Sequence, residues 1–177
     1  LTYYYSKIDN SGVNPVIKVM NHMKYDAAVI GNHEFNYGRV ILNSAVENSD
    51  FPWLSANLLL EGTEETVFGK PYIIKELENN IRVAILGLTT KYIPNWESPE
   101  YIEGIAFESA VDCAKKWIKI IKEDEKADVI IAAYHGGFER NISSGEPTEK
   151  LTGENEGYEL CMSIPEIDVL LTGHQHR

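Results

Sequence analysis

Cysteine is scarce in this sequence, with Cys113 and Cys161 the only two among 177 residues. Two thiols cannot build a disulfide framework, and neither has the spacing or neighbours of a zinc-thiolate site, so the redox compartment is left open. Long apolar runs are missing too: stretches such as Val129 to Tyr134 fall far short of the ~20 residues that a membrane span needs. Positive charge is in deficit, with 16 Lys and Arg against 27 Asp and Glu, a net of −11. That field repels a polyanion, which excludes a protein that grips a nucleic-acid polymer by neutralising its phosphates; a phosphate-bearing ligand needs positive charge supplied locally. No repeat, low-complexity tract or Pro/Gly-rich linker interrupts the chain, so it reads as one continuous unit. Leu1 to Tyr5 carry no basic n-region, apolar h-region or start methionine, so no targeting segment is visible and the N-terminus is expected to be cut rather than native. What is present is 44 % apolar and 24 % charged residues, enough for a folded core rather than disorder.

The elements alternate in type. Asn14 before Pro15 is a helix start, a capping side chain ahead of a residue whose fixed φ suits the first turn, and the helix should cover 15–24. Val16, Val19, Met20 and Met23 then form one apolar stripe facing a core. A short buried strand over 27–30 leads into Gly31-Asn32-His33-Glu34, a second helix covers 39–47, and 51–60 reads as extended. Strands over 72–77 and 81–88 flank the turn Glu78-Asn79-Asn80 as an antiparallel hairpin. Between Phe107 and Asp124, the apolar residues Phe107, Ala110, Val111, Ala114, Trp117, Ile118 and Ile121 keep a helical period, with Lys and Glu opposite. Residues 128–134 form an apolar, β-branched strand of the kind buried on both faces, ending in His135-Gly136-Gly137. A polar loop over 138–155, a short helix over 156–163 and a third buried strand over 168–172 complete the chain, which runs into Gly173-His174-Gln175-His176.

Three inferred strands thus end, on the carboxyl side, in glycine with Asn or His, and four of the five histidines sit there. In open α/β sheets ligands gather beyond the carboxyl ends of strands. Imidazole nitrogens and an amide oxygen are metal ligands, and glycines let the backbone approach closely. Each segment alone has a plainer explanation. Gly31-Asn32-His33-Glu34 suits an ordinary strand-to-helix turn, His135 a cap on a buried strand, and a paired-His turn can be exposed and idle. Alternate residues of an extended 173–176 would present both imidazoles to one space. Their joint occurrence at one end of neighbouring strands favours a metal site. His22, beside Asn21 and off the apolar stripe, is read as a surface residue.

Gly31-Asn32-His33-Glu34-Phe35-Asn36-Tyr37-Gly38, His135-Gly136-Gly137 and Gly173-His174-Gln175-His176-Arg177 resemble the later motifs of calcineurin-like metallophosphoesterases, within the bacterial 5′-nucleotidase and 2′,3′-cyclic-nucleotide 2′-phosphodiesterase/3′-nucleotidase group. The likeness extends from Asn14 to Arg177. It implies an α/β fold, a partial four-layer αββα sandwich with mixed sheets flanked by helices and its first strands missing. It also implies a two-metal centre of divalent ions such as manganese, zinc or iron. By motif position, Asn32, His135 and His174 would hold one metal and His176 the other. His33 would be the catalytic histidine, stabilising charge on the transferring phosphoryl group and helping to protonate the leaving oxygen while hydroxide generated at the metals attacks phosphorus in line. The metals would also offset the negative field for a nucleotide substrate. Relatives of this kind are exported to the periplasm or cell wall, so the parent is expected to be exported.

Two departures from the pattern matter. Many 5′-nucleotidases of the group carry Asp three residues after the catalytic His, where this chain has Asn36. An amide orients an imidazole but cannot stabilise imidazolium by charge, so His33 should be the weaker cation, and the amide tilts the substrate toward 2′,3′-cyclic nucleotides. The Asp-x-His and Gly-Asp motifs expected ahead of these segments are not found; Asp9 and Asp26 lack the glycine or histidine partner. The metal site is therefore expected to be incomplete and weak, and the chain by itself inactive. The domain that holds the nucleobase is expected to be absent, and Trp53, Trp96 and Trp117 are read as core and loop packing. A sheet without its first strands could self-associate along an open edge. Alternatives are a 5′-nucleotidase, a sugar-nucleotide or thiosulfate-related hydrolase of the same superfamily, or a non-catalytic metal-binding or interaction module.

Overall fold

A computed structural model describes residues 13–176; Asp9 and Arg177, named above, lie outside the described residues. In chain order the elements begin with α1 (Pro15–His22), β1 (Ala28–Val29), α2 (Gly38–Glu47), β2 (Trp53–Leu54), β3 (Leu58–Leu60) and β4 (Tyr72–Glu76). They continue with β5 (Arg82–Thr89), α3 (Pro99–Ile102), β6 (Ile105–Phe107), α4 (Ala110–Ile120), β7 (Val129–His135), α5 (Gly157–Ser163) and β8 (Val169–Thr172). Short 3₁₀ turns cover Asn32–Phe35, Glu78–Asn80 and Ile93–Asn95.

The main sheet is mixed, in the order β4-β5-β7-β8. β4 and β5 form the expected antiparallel hairpin, with Ile74 opposite Ala84, and Asn79 and Asn80 take the left-handed backbone of its turn at φ +63° and +62°. β5, β7 and β8 run parallel, Leu86 beside Ala132 and Ala133 beside Leu171. Two smaller ladders stand apart from this sheet: β1 parallel to β2, and β3 antiparallel to β6.

Several expectations change in detail. The start of α1 is as expected, since the Asn14 side chain accepts from Val16 N at 2.8 Å and Pro15 fills the first turn. Its stripe is as expected only at Met20, which packs on a core: Val16, Val19 and Met23 are 44 %, 55 % and 61 % exposed, whereas Ile17 is fully enclosed beside Ile30, Phe35 and Leu42. Two overlapping apolar faces were available on this helix, and packing against the neighbouring elements chose the one through Ile17. Phe107 does not open the long helix; it pairs with Leu58 in the β3–β6 ladder. Ser109 then caps α4, its hydroxyl accepting from Asp112 N at 3.3 Å, and the helix relaxes into a π turn over Ile121–Glu125 that Lys126 ends in a left-handed conformation. The 51–60 stretch is divided between β2 and β3. β7 alternates, with Ile130, Ala132 and Tyr134 buried and the residues between them half-buried, rather than being enclosed on both faces. β8 is exposed, not buried, because among the described residues it pairs with β7 alone; Leu171 is 55 % exposed.

Apolar burial is divided between two cores. One lies between the main sheet and α4 and α5, around Leu86, Leu88, Ile130, Ala114, Ile118 and Leu160. The other joins α1, α2 and the small ladders around Ile17, Ile30, Phe35, Leu42, Trp53 and Ile93. Trp53 is thus core, and Trp117 packs on Tyr72 at 5.7 Å, both as expected. Among the described residues no helix is long and apolar enough to cross a membrane.

The two cores are joined by a backbone seam. Ala56 N donates to Gly87 O at 2.8 Å, and the fully buried Asn57 exchanges two bonds with Thr89, accepting from its N–H at 2.9 Å and donating to its carbonyl at 2.7 Å. A Cβ at Gly87 would lie 2.2 Å from Leu54 Cβ and 2.8 Å from the Leu54 carbonyl carbon, so only glycine permits this approach. Gly87→Ala is accordingly expected to cost about 1–3 kcal/mol by overpacking, read from urea unfolding. Unchanged stability would mean that the seam can open without loss.

Candidate active site

The seam brings the end of β1 beside the ends of β7 and β8. After β1 the chain tightens into the Asn32–Phe35 turn, where Glu34 Oε2 accepts from Gly31 N at 2.9 Å. Phe35 anchors the turn: it is fully buried and meets Phe68 and Phe107 near edge-on, at 6.0 and 5.8 Å. With Phe35 held inside, Asn32 is buried and His33 is exposed. Gly31 is needed here for space, since a Cβ would lie 2.7 Å from His135 Cε1.

His135 ends β7, and its Nε2 lies 2.9 Å from Asn32 Oδ1. The His174 ring stands 5.4 Å from that of His135, just past the end of β8. Residues 173–176 are not extended, as alternation of side chains would have required. His174 and His176 both take left-handed backbone, at φ +67° and +55°, and Gln175 N donates back to Gly173 O at 2.7 Å. Such conformations cost roughly 1–2 kcal/mol per non-glycine residue and persist where surroundings enforce them. Gln175 supplies the enforcement. Its Oε1 accepts from Phe138 N at 3.0 Å, and its Nε2 donates to Phe138 O at 3.1 Å and to Glu149 Oε2 at 2.9 Å.

The polar loop is equally well tied. Asn155 accepts from Gly137 N at 2.6 Å and donates to Glu149 at 2.8 Å, while Glu154 Oε1 lies 3.0 Å from His174 Nε2. Next in the chain, Glu156 is buried against Lys91 and accepts from Ser109 Oγ and Ala110 N, which fastens the loop to the start of α4. A cavity of about 410 Å³ opens beside His174 and His176, with Phe138, Arg140, Asn141 and Thr148 in its wall. Arg140 is the cation of that wall, steadied by a bond from Nη1 to Gly145 O at 3.1 Å.

Burial pushes the His135 imidazole down to about 4, and the positive charges of His174, His33 and His176 add to the effect in that order. All four imidazoles therefore share one electrostatic neighbourhood, and His135 is neutral near pH 7, the state in which a ring nitrogen can ligate a metal. On the outer side, His33 Nδ1 lies 2.8 Å from Asn36 Oδ1, and Asn36 Nδ2 donates to Glu97 Oε1 at 2.6 Å. Burial raises the Glu97 carboxyl above its ordinary range, opposed by the Asn36 bond and by the charge of His33.

Of the residues expected from sequence, Asn32, His135 and His174 are brought together, His176 lies near enough to repel charge on His135, and His33 stands at the rim. His22 is exposed in the last turn of α1, as read. Imidazole and amide-oxygen donors are the right chemistry for a divalent transition metal, and the space left by Gly31 suits their approach. Among the described residues, however, no three His, Cys, Asp or Glu side chains converge closely enough to enclose an ion. Sequence reasoning missed Glu154, Glu149, Gln175, Glu97 and Arg140. Gln175, set between two histidines, carried a usable signal; the others lie in loops whose composition says only that they are polar. Trp96 is corrected in part: it is 42 % exposed and packs on Tyr92 at 5.1 Å, but also on His174 at 5.4 Å, so it borders the site.

A family model described as calcineurin-like phosphoesterase matches residues 6–177. The trifunctional nucleotide phosphoesterase protein YfkN of Bacillus subtilis is 33 % identical over 177 residues, covering 96 % of this chain and 12 % of its own. A 2′,3′-cyclic-nucleotide 2′-phosphodiesterase/3′-nucleotidase of Haemophilus influenzae is 31 % identical over 172 residues, covering 93 % of this chain and 25 % of its own. Among solved structures, a candidate 5′-nucleotidase of Staphylococcus aureus in complex with alpha-ketoglutarate superposes with a TM-score of 0.89 at 38 % identity, over 99 % of this chain and 33 % of that one. The chain thus spans a third or less of the length of each.

An imidazole that ligates a metal through one nitrogen is normally oriented by a partner on the other; were His174 such a ligand, Glu154 would be that partner. Glu154→Ala in the full-length protein should weaken manganese binding about 10- to 100-fold, measured by calorimetric titration of the apoprotein. An unchanged affinity would show that Glu154 does not orient His174 toward a metal.

Proposed function

The chain belongs to the calcineurin-like phosphoesterase family, and on that footing we propose that it forms part of a metal-dependent phosphoesterase of nucleotides, with 2′,3′-cyclic nucleotides as preferred substrates. The observation that carries this reading is the convergence of Asn32, His33, His135, His174 and His176 beyond the ends of three strands. Calcineurin-like phosphoesterases use divalent metal ions. In the proposed site Asn32, His135 and His174 would hold one ion and His176 would contribute to a second. When bound, such ions polarise a phosphoryl oxygen and furnish a nucleophile near neutral pH.

The remaining work falls to this chain's own groups. His33 is exposed at the rim with Nδ1 committed to Asn36, so Nε2 is the nitrogen that carries a proton to the leaving oxygen. His135, held neutral by burial, offers a lone pair without first losing a proton. Gln175 and Glu154 keep the 173–176 turn and the His174 ring in place. Arg140 in the adjoining cavity wall supplies local positive charge against the net −11 of the chain, which is what an anionic substrate requires.

Two features support the cyclic-nucleotide preference: the amide at Asn36, and the names of the B. subtilis and H. influenzae relatives, a trifunctional nucleotide phosphoesterase and a 2′,3′-cyclic-nucleotide 2′-phosphodiesterase/3′-nucleotidase. A second reading, a non-catalytic metal-binding module, draws on the hydrogen bond between Asn32 and His135, which occupies two of the proposed ligands with each other.

One assay separates the two. The full-length protein with added manganese should hydrolyse a 2′,3′-cyclic nucleotide faster than a 5′-monophosphate, lose activity on chelation, and lose a factor of roughly 10²–10⁴ in kcat on His33→Ala. Metal uptake without hydrolysis of either substrate would sink the enzymatic reading and favour the module.

A further inference from the structure

We propose that Glu97 is a positioning residue for His33: by accepting a hydrogen bond from the Asn36 amide, it fixes which end of that amide meets the imidazole, and so fixes the tautomer of the ring. The proposal rests on the role of His33 given above only for its kinetic consequence; the geometric part stands on its own.

An asparagine beside a histidine is ambiguous. Its carbonyl oxygen accepts a proton from Nδ1–H, but the same side chain turned over donates to a bare Nδ1 and moves the ring proton to Nε2. A carboxylate at that position has no such ambiguity, because both its oxygens accept. Here the ambiguity is resolved 61 residues further along the chain. Glu97 Oε1 lies 2.6 Å from Asn36 Nδ2, and an ionised carboxylate can only accept, so the amide N–H faces Glu97 and Oδ1 faces His33 at 2.8 Å. Turning the amide over would place its carbonyl oxygen against the carboxylate. In the neutral ring the proton is therefore held on Nδ1, which makes Nε2 the nitrogen that takes up a second proton and passes it on.

Glu97 can perform this role because its backbone is fixed. Ile93 is fully buried in the second core, and both Trp96 N and Glu97 N donate to Ile93 O, at 2.9 and 3.1 Å. The same turn sets Trp96 against the His174 ring at 5.4 Å. One short segment thus reaches two histidines of the site: His174 directly, through Trp96, and His33 through Asn36. Nothing in the local sequence around Trp96-Glu97 marks it as part of the site, because its relevance comes from the fold alone.

The test uses the full-length protein and two variants. In Glu97→Ala the amide loses the carboxylate that opposes its turning over. In the double variant Asn36→Asp with Glu97→Gln the polarity of the pair is reversed, since Asp accepts from His33 and Gln donates to Asp. Nitrogen NMR of the metal-free protein labelled on histidine, recorded with His33 neutral and assigned through His33→Gln, should show Nδ1–H alone in the parent protein. It should show a mixture of tautomers in Glu97→Ala and Nδ1–H again in the double variant. Steady-state kinetics on the best nucleotide substrate should show kcat falling about tenfold or more in Glu97→Ala, with KM within about twofold, and recovering in the double variant. A Glu97→Ala protein that keeps Nδ1–H alone overturns the proposal, as does a double variant that folds but recovers neither tautomer nor kcat. If the parent protein hydrolyses no nucleotide, the proposed function falls while the NMR result still decides the role of Glu97.

Discussion

The constraint on which this structure depends is the close approach of two backbones at Gly87 and Leu54. There the β1–β2 ladder and its core press against the main sheet, with Ala56 bonded to Gly87 and Asn57 bonded twice to Thr89. The contact tolerates no side chain at Gly87, and the reward is positional. The turn carrying Asn32 and His33 belongs to one core, while His135 and His174 follow strands of the other. The seam holds the two cores together with Asn32 within hydrogen-bonding distance of His135. A site built across two cores in this way inherits the rigidity of both, which suits chemistry that depends on sub-ångström placement.

Around that junction the arrangement is concentric. The inner donors are imidazoles and an amide, with His135 held neutral by burial. Outside them lies a layer of carboxylates and carboxamides: Glu154 on His174, Glu149 on Gln175 and Asn155, and Glu97 on Asn36. Among the described residues, the carboxylates of this layer orient the histidines and amides rather than occupy the centre. The left-handed backbone at His174 and His176 is held by the two-point attachment of Gln175 to Phe138. Glu156 plays the corresponding part for the loop, tying it to Lys91 and to the start of α4.

Much of the framework was legible in advance because it depends on local pattern. The β4–β5 hairpin follows from alternating apolar residues around Asn79-Asn80, and the start of α1 from Asn14-Pro15, since turn and cap chemistry act over a few residues. Where two local patterns competed, packing chose between them. The apolar face of α1 turned to Ile17, Phe107 joined a ladder rather than a helix, and β8 lay exposed despite its apolar composition. Periodicity reports that a face is apolar; it cannot report which face finds a partner.

The same division holds at the site. From sequence alone came the candidate residues, Asn32, His33, His135, His174 and His176, each beside a glycine or within two residues of another member of the set, at the carboxyl ends of strands. What only the tertiary structure decided is how those residues are oriented, because the groups that orient them are distant in the chain and chemically ordinary in their own surroundings. Glu97 lies 61 residues from Asn36, Glu154 lies 20 from His174, and Gln175 reaches Phe138 across 37. A metal-ligating or proton-carrying side chain is constrained by its chemistry, which leaves a mark in the sequence. A side chain that merely turns it to the correct angle is constrained by position, and position is a property of the fold.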